Sequence, residues 1–196
     1  GTISNFTGSG TAYTATFTPS SGSTADGIIS IASGTFSDAA GNTNNDGADA
    51  NNTVTLSVDT LAPAIAISSN VSSLNAAQTA TLSFTLSEAS TDFTADDLIA
   101  TGGTISNFTG SGTAYTATFT PAAGSTADGI ISVASGTFSD AAGNTNNDGA
   151  DTNNTVSLSV DTLRPTVAIA TNVSTLKAAE TATLSLSLIH ISEPTR

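Results

Sequence analysis

The sequence predicts an all-β fold of tandem antiparallel β-sandwiches, and three observations carry that prediction. Apolar residues alternate with Ser, Thr and Ala at period 2, the spacing that gives a strand one buried face. Clusters of Gly, Asn and Asp separate the alternating runs, as turns do between short strands. No stretch of useful length places apolar residues at the 3.6-residue spacing of an amphipathic helix.

The elements follow in order along one central unit. A first strand is expected near 64–68, where Ile65 and Ile67 alternate with Ala66 and Ser68. A second, near 79–87, puts Leu82, Phe84 and Leu86 on one face. A short third strand falls near 97–101. A fourth, near 103–108, and a fifth, near 113–120, flank the turn Gly110-Ser111-Gly112. Tyr115, Ala117 and Phe119 share one face, and Pro121 ends the strand because it cannot donate to a ladder. A sixth strand near 129–138 turns Ile131 and Val133 inward, and a seventh near 154–160 does so with Val156, Leu158 and Val160. Seven short strands in about 100 residues make an immunoglobulin-like sandwich. The chain has no Cys and no Trp, so strand number and pattern carry this assignment rather than the Cys-Trp-Cys signature of antibody domains. An up-and-down barrel is the alternative.

An internal repeat sets the organisation. The stretch beginning at Gly1 begins again at Gly103, and residues 1–83 differ from 103–185 at 13 positions. One period is the size of one domain. The expected units are 1–59, the C-terminal part of a truncated repeat; 60–161, a complete repeat; and 162–185, the N-terminal part of a third. The match stops after Ser185, where Leu186-Ser187-Leu188-Ile189-His190 replaces the expected counterpart of Phe84-Thr85-Leu86-Ser87-Glu88. The stretch 186–196 resembles the translation of a sequencing adapter throughout, and is read as an artefact. The chain begins at Gly1 without Met or leader, and reads as an internal fragment.

Charge narrows the function. The 196 residues hold 16 Asp+Glu against 3 Lys+Arg, a formal net charge of -13. Nothing is present to neutralise phosphates, which excludes a nucleic-acid binder working through a basic surface. The same deficit argues against anionic lipid. Without Cys there is no disulfide, no thiolate nucleophile and no Cys-based zinc site. No apolar run approaches the roughly 18 residues of a membrane span. A Ser-His-Asp triad needs a histidine, and His190 lies in the presumed artefact. No Gly-rich loop carries a phosphate-binding Lys. No aromatic cleft is evident for the paired carboxylates of a glycosidase. The chain is therefore read as no enzyme.

With strands placed, a set of motifs stands out: FTADDL (93–98), TAYTATFTP (113–121), FSDAAGN (138–144) and VDTLAP (58–63). Together they resemble the bacterial immunoglobulin-like repeats of large surface adhesins and biofilm-associated proteins, over residues 1–185. The resemblance implies a secreted, tandem-repeat stalk at the bacterial cell surface, acting in cell adhesion and stiffened by Ca²⁺ between domains.

The carboxylates give a separate argument. Residues 60–161 contain nine, and no Lys, Arg or His. No salt bridge can form inside that unit, so each carboxylate is solvated, caps a backbone N–H or shares a cation. A hard divalent cation removes the repulsion, and Ca²⁺ accepts about 6–8 oxygen ligands in flexible geometry. In a sandwich of this type the loop after the second strand and the loop after the sixth sit at one end, where the preceding connector also arrives. Asp59 of the connector, Glu88 and Asp140 are therefore expected to ligate one interdomain Ca²⁺, with Asp92 and Asn144 as further candidates. The competing readings are local: Asp140 as a turn residue, Asp59 as linker, Asp92, Asp96 and Asp97 as a solvated loop with a cap, and Tyr115 as core. The 144–154 loop lacks the bidentate Glu of an EF-hand.

The expected function is a structural spacer of an extracellular adhesin, rigidified by calcium. Its partners would be neighbouring repeats of the same chain, and a host or matrix ligand reached through domains outside it, with no nucleic acid and no membrane insertion. The alternative is a repeat that itself binds a glycan or self-associates between cells.

Overall fold

The computed structural model describes residues 1–190; the end of the stretch read as an artefact, 191–196, lies outside the described residues. The alternation becomes thirteen strands among them. β1 (Thr2–Ser9) and β2 (Ala12–Thr18) form an antiparallel hairpin, and β3 (Gly27–Ser30) pairs with β4 (Thr53–Leu56). The central unit holds β5 (Ile65–Ser69), β6 (Ser73–Asn75), β7 (Ala80–Ser90), β8 (Leu98–Thr101), β9 (Gly103–Pro121), β10 (Gly129–Val133) and β11 (Thr155–Asp161). β12 (Thr166–Thr171) and β13 (Leu184–Ile189) form a last hairpin. β13 runs on beyond Ser185 because Leu186 and Leu188 keep the period-2 pattern. No described helix is long and apolar enough to cross a membrane.

Two sheets build the central unit. One has the order β5-β7-β9, the other β6-β11-β10-β8. Every pairing is antiparallel except β6 with β11. The sheets stay separate and face each other across a shared core, so this is an immunoglobulin-like sandwich and not a closed barrel. Inward residues of β7 (Leu82, Phe84, Leu86) meet Ile131, Val133 and Leu158 from the opposite sheet. Phe93 stands at the centre, its ring edge-on to Phe84, Tyr115 and Phe138 at 5.9, 5.1 and 5.2 Å. Full burial of each large apolar side chain stabilises by about 1.5–3 kcal/mol. Tyr115 is core, and its hydroxyl donates to the Ser90 carbonyl at 2.9 Å.

Three details differ from the expected elements. The fourth and fifth strands run as one, β9, which doubles back: Gly103 lies against the Thr120 carbonyl and Gly110 against that of Ala114. Asn107 bends it with φ 52°, a left-handed conformation that Asn tolerates better than most residues. The sixth strand, β10, stops at Val133 rather than 138, because the Asn146 side chain accepts from the Thr137 and Phe138 N–H groups at 2.8 and 3.3 Å and folds that segment into a loop. β6 was not expected. After β5 the chain crosses to the other sheet, where β6 buries Leu74 and pairs parallel to β11. Asn70 allows the crossing by accepting the Thr81 N–H at 2.7 Å in place of a ladder partner.

Candidate metal centre

Three elements converge at the end of the sandwich that the 57–64 connector reaches. Glu88 lies near the end of β7, where strand period leaves it half-buried. Asp140 begins the turn after Phe138, tied to the end of β7 by a bridge between Ser90 and Asp140. Asp59 sits in the connector, its Oδ1 accepting from the Leu61 N–H at 3.2 Å. One carboxylate oxygen from each of Asp59, Glu88 and Asp140 lies within 4.8 Å of the other two.

The carboxylates are satisfied very unequally. Asp140 Oδ1 accepts from the Ala142 and Asn144 backbone N–H groups at 2.8 and 2.9 Å, and Oδ2 from the Asn144 side-chain amide at 2.8 Å. Burial pushes the Asp140 carboxyl up, but the bonds from Asn144 and Ala142 outweigh it and hold the group below its ordinary value. Glu88 has no such donors. Its Oε1 is buried without a hydrogen-bond partner. Burial, followed by the charges of Asp59 and Asp140, pushes the Glu88 carboxyl up. A half-buried carboxylate with one buried, unpaired oxygen beside two others is costly, and an all-oxygen set of this kind suits a hard cation.

Asn144 bridges two of the three. Besides Asp140, its Nδ2 reaches the Asp59 carbonyl at 3.3 Å and Asp59 Oδ1 at 3.5 Å. It thus sits within the group as a donor. Asp92 does not join it. Ser90 Oγ donates to Asp92 Oδ1 at 2.7 Å, the Ser139 N–H to the same oxygen at 2.9 Å, and Ser139 Oγ to Oδ2 at 2.6 Å. Those bonds hold the Asp92 carboxyl below its ordinary value. Asp92 therefore clamps the loop after β7 to the turn that carries Asp140. Asp97 caps a short 3-10 turn, its Oδ2 accepting from the Thr94 N–H at 2.7 Å.

The Asp140 turn is local in origin. Asp38 heads the same Ser-Asp-Ala-Ala-Gly-Asn stretch and accepts from Ala40 and Asn42 N–H at 2.9 Å each, with no Glu near it. What is particular to the 59–140 group is the convergence of the connector and the unsatisfied Glu88.

A further buried carboxylate was not anticipated from the sequence. Asp148 Oδ2 accepts from the Ile65 N–H at 2.6 Å, which latches the free edge of β5 to the 144–154 loop. Asn146 Nδ2 donates to Asp148 Oδ1 at 3.3 Å and Asn154 Nδ2 to the Asp148 carbonyl at 2.6 Å. The signal was the crowd of Asn and Asp in that loop, which serves the backbone rather than a ligand.

Compared with known proteins, the chain matches a family model described as a bacterial Ig-like domain, over residues 1–56 and 59–158. No curated protein and no solved structure matches it.

Proposed function

The chain belongs to the bacterial Ig-like domain family, and from that premise we propose that it is a structural spacer in an extracellular adhesin, stiffened by Ca²⁺ where a connector meets a sandwich. The observation that carries the reading is Glu88: a carboxylate with a buried, unpartnered oxygen, within 4.8 Å of Asp59 and Asp140, in a unit with no cationic side chain. Asp59, Glu88 and Asp140 would hold the ion. Asn144, turned about its terminal bond, would offer Oδ1 in place of Nδ2.

The mechanical consequence follows from where these residues sit. Asp59 belongs to the connector, and Glu88 and Asp140 to the sandwich. A cation shared among them ties the two together and removes the swing that a short linker otherwise leaves. A sandwich of this strand length spans roughly 30–40 Å, so stacked units would project a distal binding domain from the cell. For a site with Kd near 10⁻⁴ M, millimolar calcium would add about 1.4 kcal/mol.

The test is thermal melting and small-angle scattering of the chain with calcium and with chelator. Calcium should raise the Tm and narrow the spread of particle dimensions. Asp59→Ala should lose the narrowing while the sandwich still folds. An unchanged Tm and unchanged spread would remove calcium from the reading and leave a plain spacer.

A further inference from the structure

We propose that Thr60 and Thr162 latch each connector to the unit it leaves, so that the connector moves with that unit and its swing is confined to the few residues that follow. The latch is one hydroxyl used in both directions. Thr60 Oγ1 accepts from the Ser23 N–H at 3.0 Å and donates to the Ser20 carbonyl at 2.7 Å. The main chain of the same residue adds two bonds. The Thr60 N–H donates to the Ser23 carbonyl at 2.9 Å, and the Thr60 carbonyl accepts from the Gly22 N–H at 3.1 Å. One residue thus engages the loop after β2 at Ser20, Gly22 and Ser23.

The same latch closes at the next connector, on the loop after β9 of the complete unit. Thr162 Oγ1 accepts from the Ser125 N–H at 2.8 Å and donates to the Ala122 carbonyl at 2.6 Å, and the Thr162 N–H donates to the Ser125 carbonyl at 2.9 Å. Ala122 stands where the other copy has Ser20, and the bonds persist because they use only the loop's main chain. Each loop is braced on its own: Ser23 Oγ accepts from the Ala25 N–H at 3.1 Å, and Ser125 Oγ from the Ala127 N–H at 3.0 Å. Thr162 is 4% exposed. A Val in its place would turn a methyl group to the Ser125 N–H where little water reaches. Ser would keep the hydroxyl but lose the second branch that stiffens χ1.

Beyond Thr60 the connector is pinned to the sandwich it enters. The Ala64 N–H donates to Ser87 Oγ at 2.8 Å, the Ala64 carbonyl accepts from the Ser87 N–H at 2.8 Å, and the Ile65 N–H reaches Asp148. Between latch and pins lie only Leu61, Ala62 and Pro63. That segment spans at most about 13–14 Å when fully extended, and Pro63 is buried with its φ fixed by its ring. The latch also sets where Asp59 stands, because the two residues adjoin. This part rests on the calcium reading: a cation shared by Asp59, Glu88 and Asp140 then joins the sandwich to a connector already held from behind. Thr60 acts on that ion only through Asp59, as a positioning residue.

The experiment is amide hydrogen exchange of the 196-residue chain in chelator, followed by a calcium titration. The Ser23 and Ser125 amides should be protected in the parent. Thr60→Val should speed exchange at Ser23 about tenfold and leave Ser125 unchanged, and Thr162→Val should do the converse. Thr60→Ser should restore protection at Ser23. In Thr60→Val the Tm of the central sandwich in chelator should match the parent's, while the calcium dissociation constant rises about fivefold, the worth of one hydrogen bond. Thr60→Ser should bring that constant back toward the parent's. Unprotected Ser23 and Ser125 amides in the parent, or Val variants that exchange as the parent does, would overturn the latch. Lost protection with unchanged calcium affinity would overturn the positioning of Asp59. A chain that binds no calcium would overturn the ion reading and with it that positioning, while exchange in chelator still decides the latch.

Discussion

Glu88 and Asp140 are neighbours in opposite states of satisfaction, and the difference predicts opposite responses to pH. Glu88 takes up a proton more readily in the folded chain than in the unfolded one, because burial and the Asp59 and Asp140 charges disfavour its anion. A raised carboxyl pKa costs stability as pH rises through the folded value. In chelator, Glu88→Gln should therefore stabilise the sandwich at neutral pH, read as a higher Tm than the parent's. It should also abolish any calcium-dependent rise. Melting the variant with and without calcium checks both. Asp92 has the reverse sign. The bonds from Ser139 and Ser90 lower its pKa, so its contribution is complete above the unfolded value of about 3.9 and is lost as pH falls through the lower folded value. Asp92→Asn should cost about 1–2 kcal/mol at pH 7 and flatten the acid limb, measured by urea unfolding from about pH 6 to pH 3. At this scale the sequence was partly legible. Topology alone brought Asp59, Glu88 and Asp140 together, because each borders a loop at one end of a sandwich. Asp92 borders the same end and was grouped with them. The Ser139 hydroxyl that claims it is one of many Ser and Thr in the chain, and nothing local marks it.

Strands were the most legible elements, because a buried face imposes period 2 on every one of them and the turns between them need Gly, Asn or Asp. What escaped depends on side chains that substitute for ladder partners. Asn70 ends the β5–β7 pairing and sends the chain to β6, and Asn146 ends β10 five residues early. Both are Asn residues in an Asn-rich sequence, so their role appears only when their distant partners, Thr81 and Phe138, are in place. The repeat also supplies a matched test of packing between elements. A Cβ on Gly129 would lie 2.6 Å from the Phe119 ring, and a Cβ on Gly27 would lie 2.6 Å from the Phe17 ring. Phe119 is fully buried between sheets and has nowhere to move. Phe17 is half-buried and can turn aside. Gly129→Ala should thus destabilise by about 1–3 kcal/mol, while Gly27→Ala should cost well under 1 kcal/mol. Urea unfolding followed by Tyr fluorescence separates the two.

Over the whole molecule the dominant fact is uncompensated negative charge, and it distinguishes screening from binding. The unit 60–161 has nine carboxylates and no basic side chain, so no ion pair opposes their repulsion. Some are absorbed by the backbone: Asp97 caps a turn, Asp140 closes one, and Asp148 latches β5. The remainder repel, and salt screens repulsion between exposed charges beyond the Debye length, about 10 Å at 0.1 M salt. Adding NaCl in chelator should therefore raise the Tm gradually, opposite to a domain held by surface ion pairs, which salt weakens. Calcium at matched ionic strength should exceed this rise, because ligation at Glu88 satisfies an oxygen that a diffuse ion cloud does not reach. Magnesium should fall between them, since it prefers near-octahedral geometry and gives up its water reluctantly. Parallel melts in the three chlorides decide the matter. Equal curves at equal ionic strength would show that charge in this chain is managed by screening alone, and that the 59–140 group holds no ion.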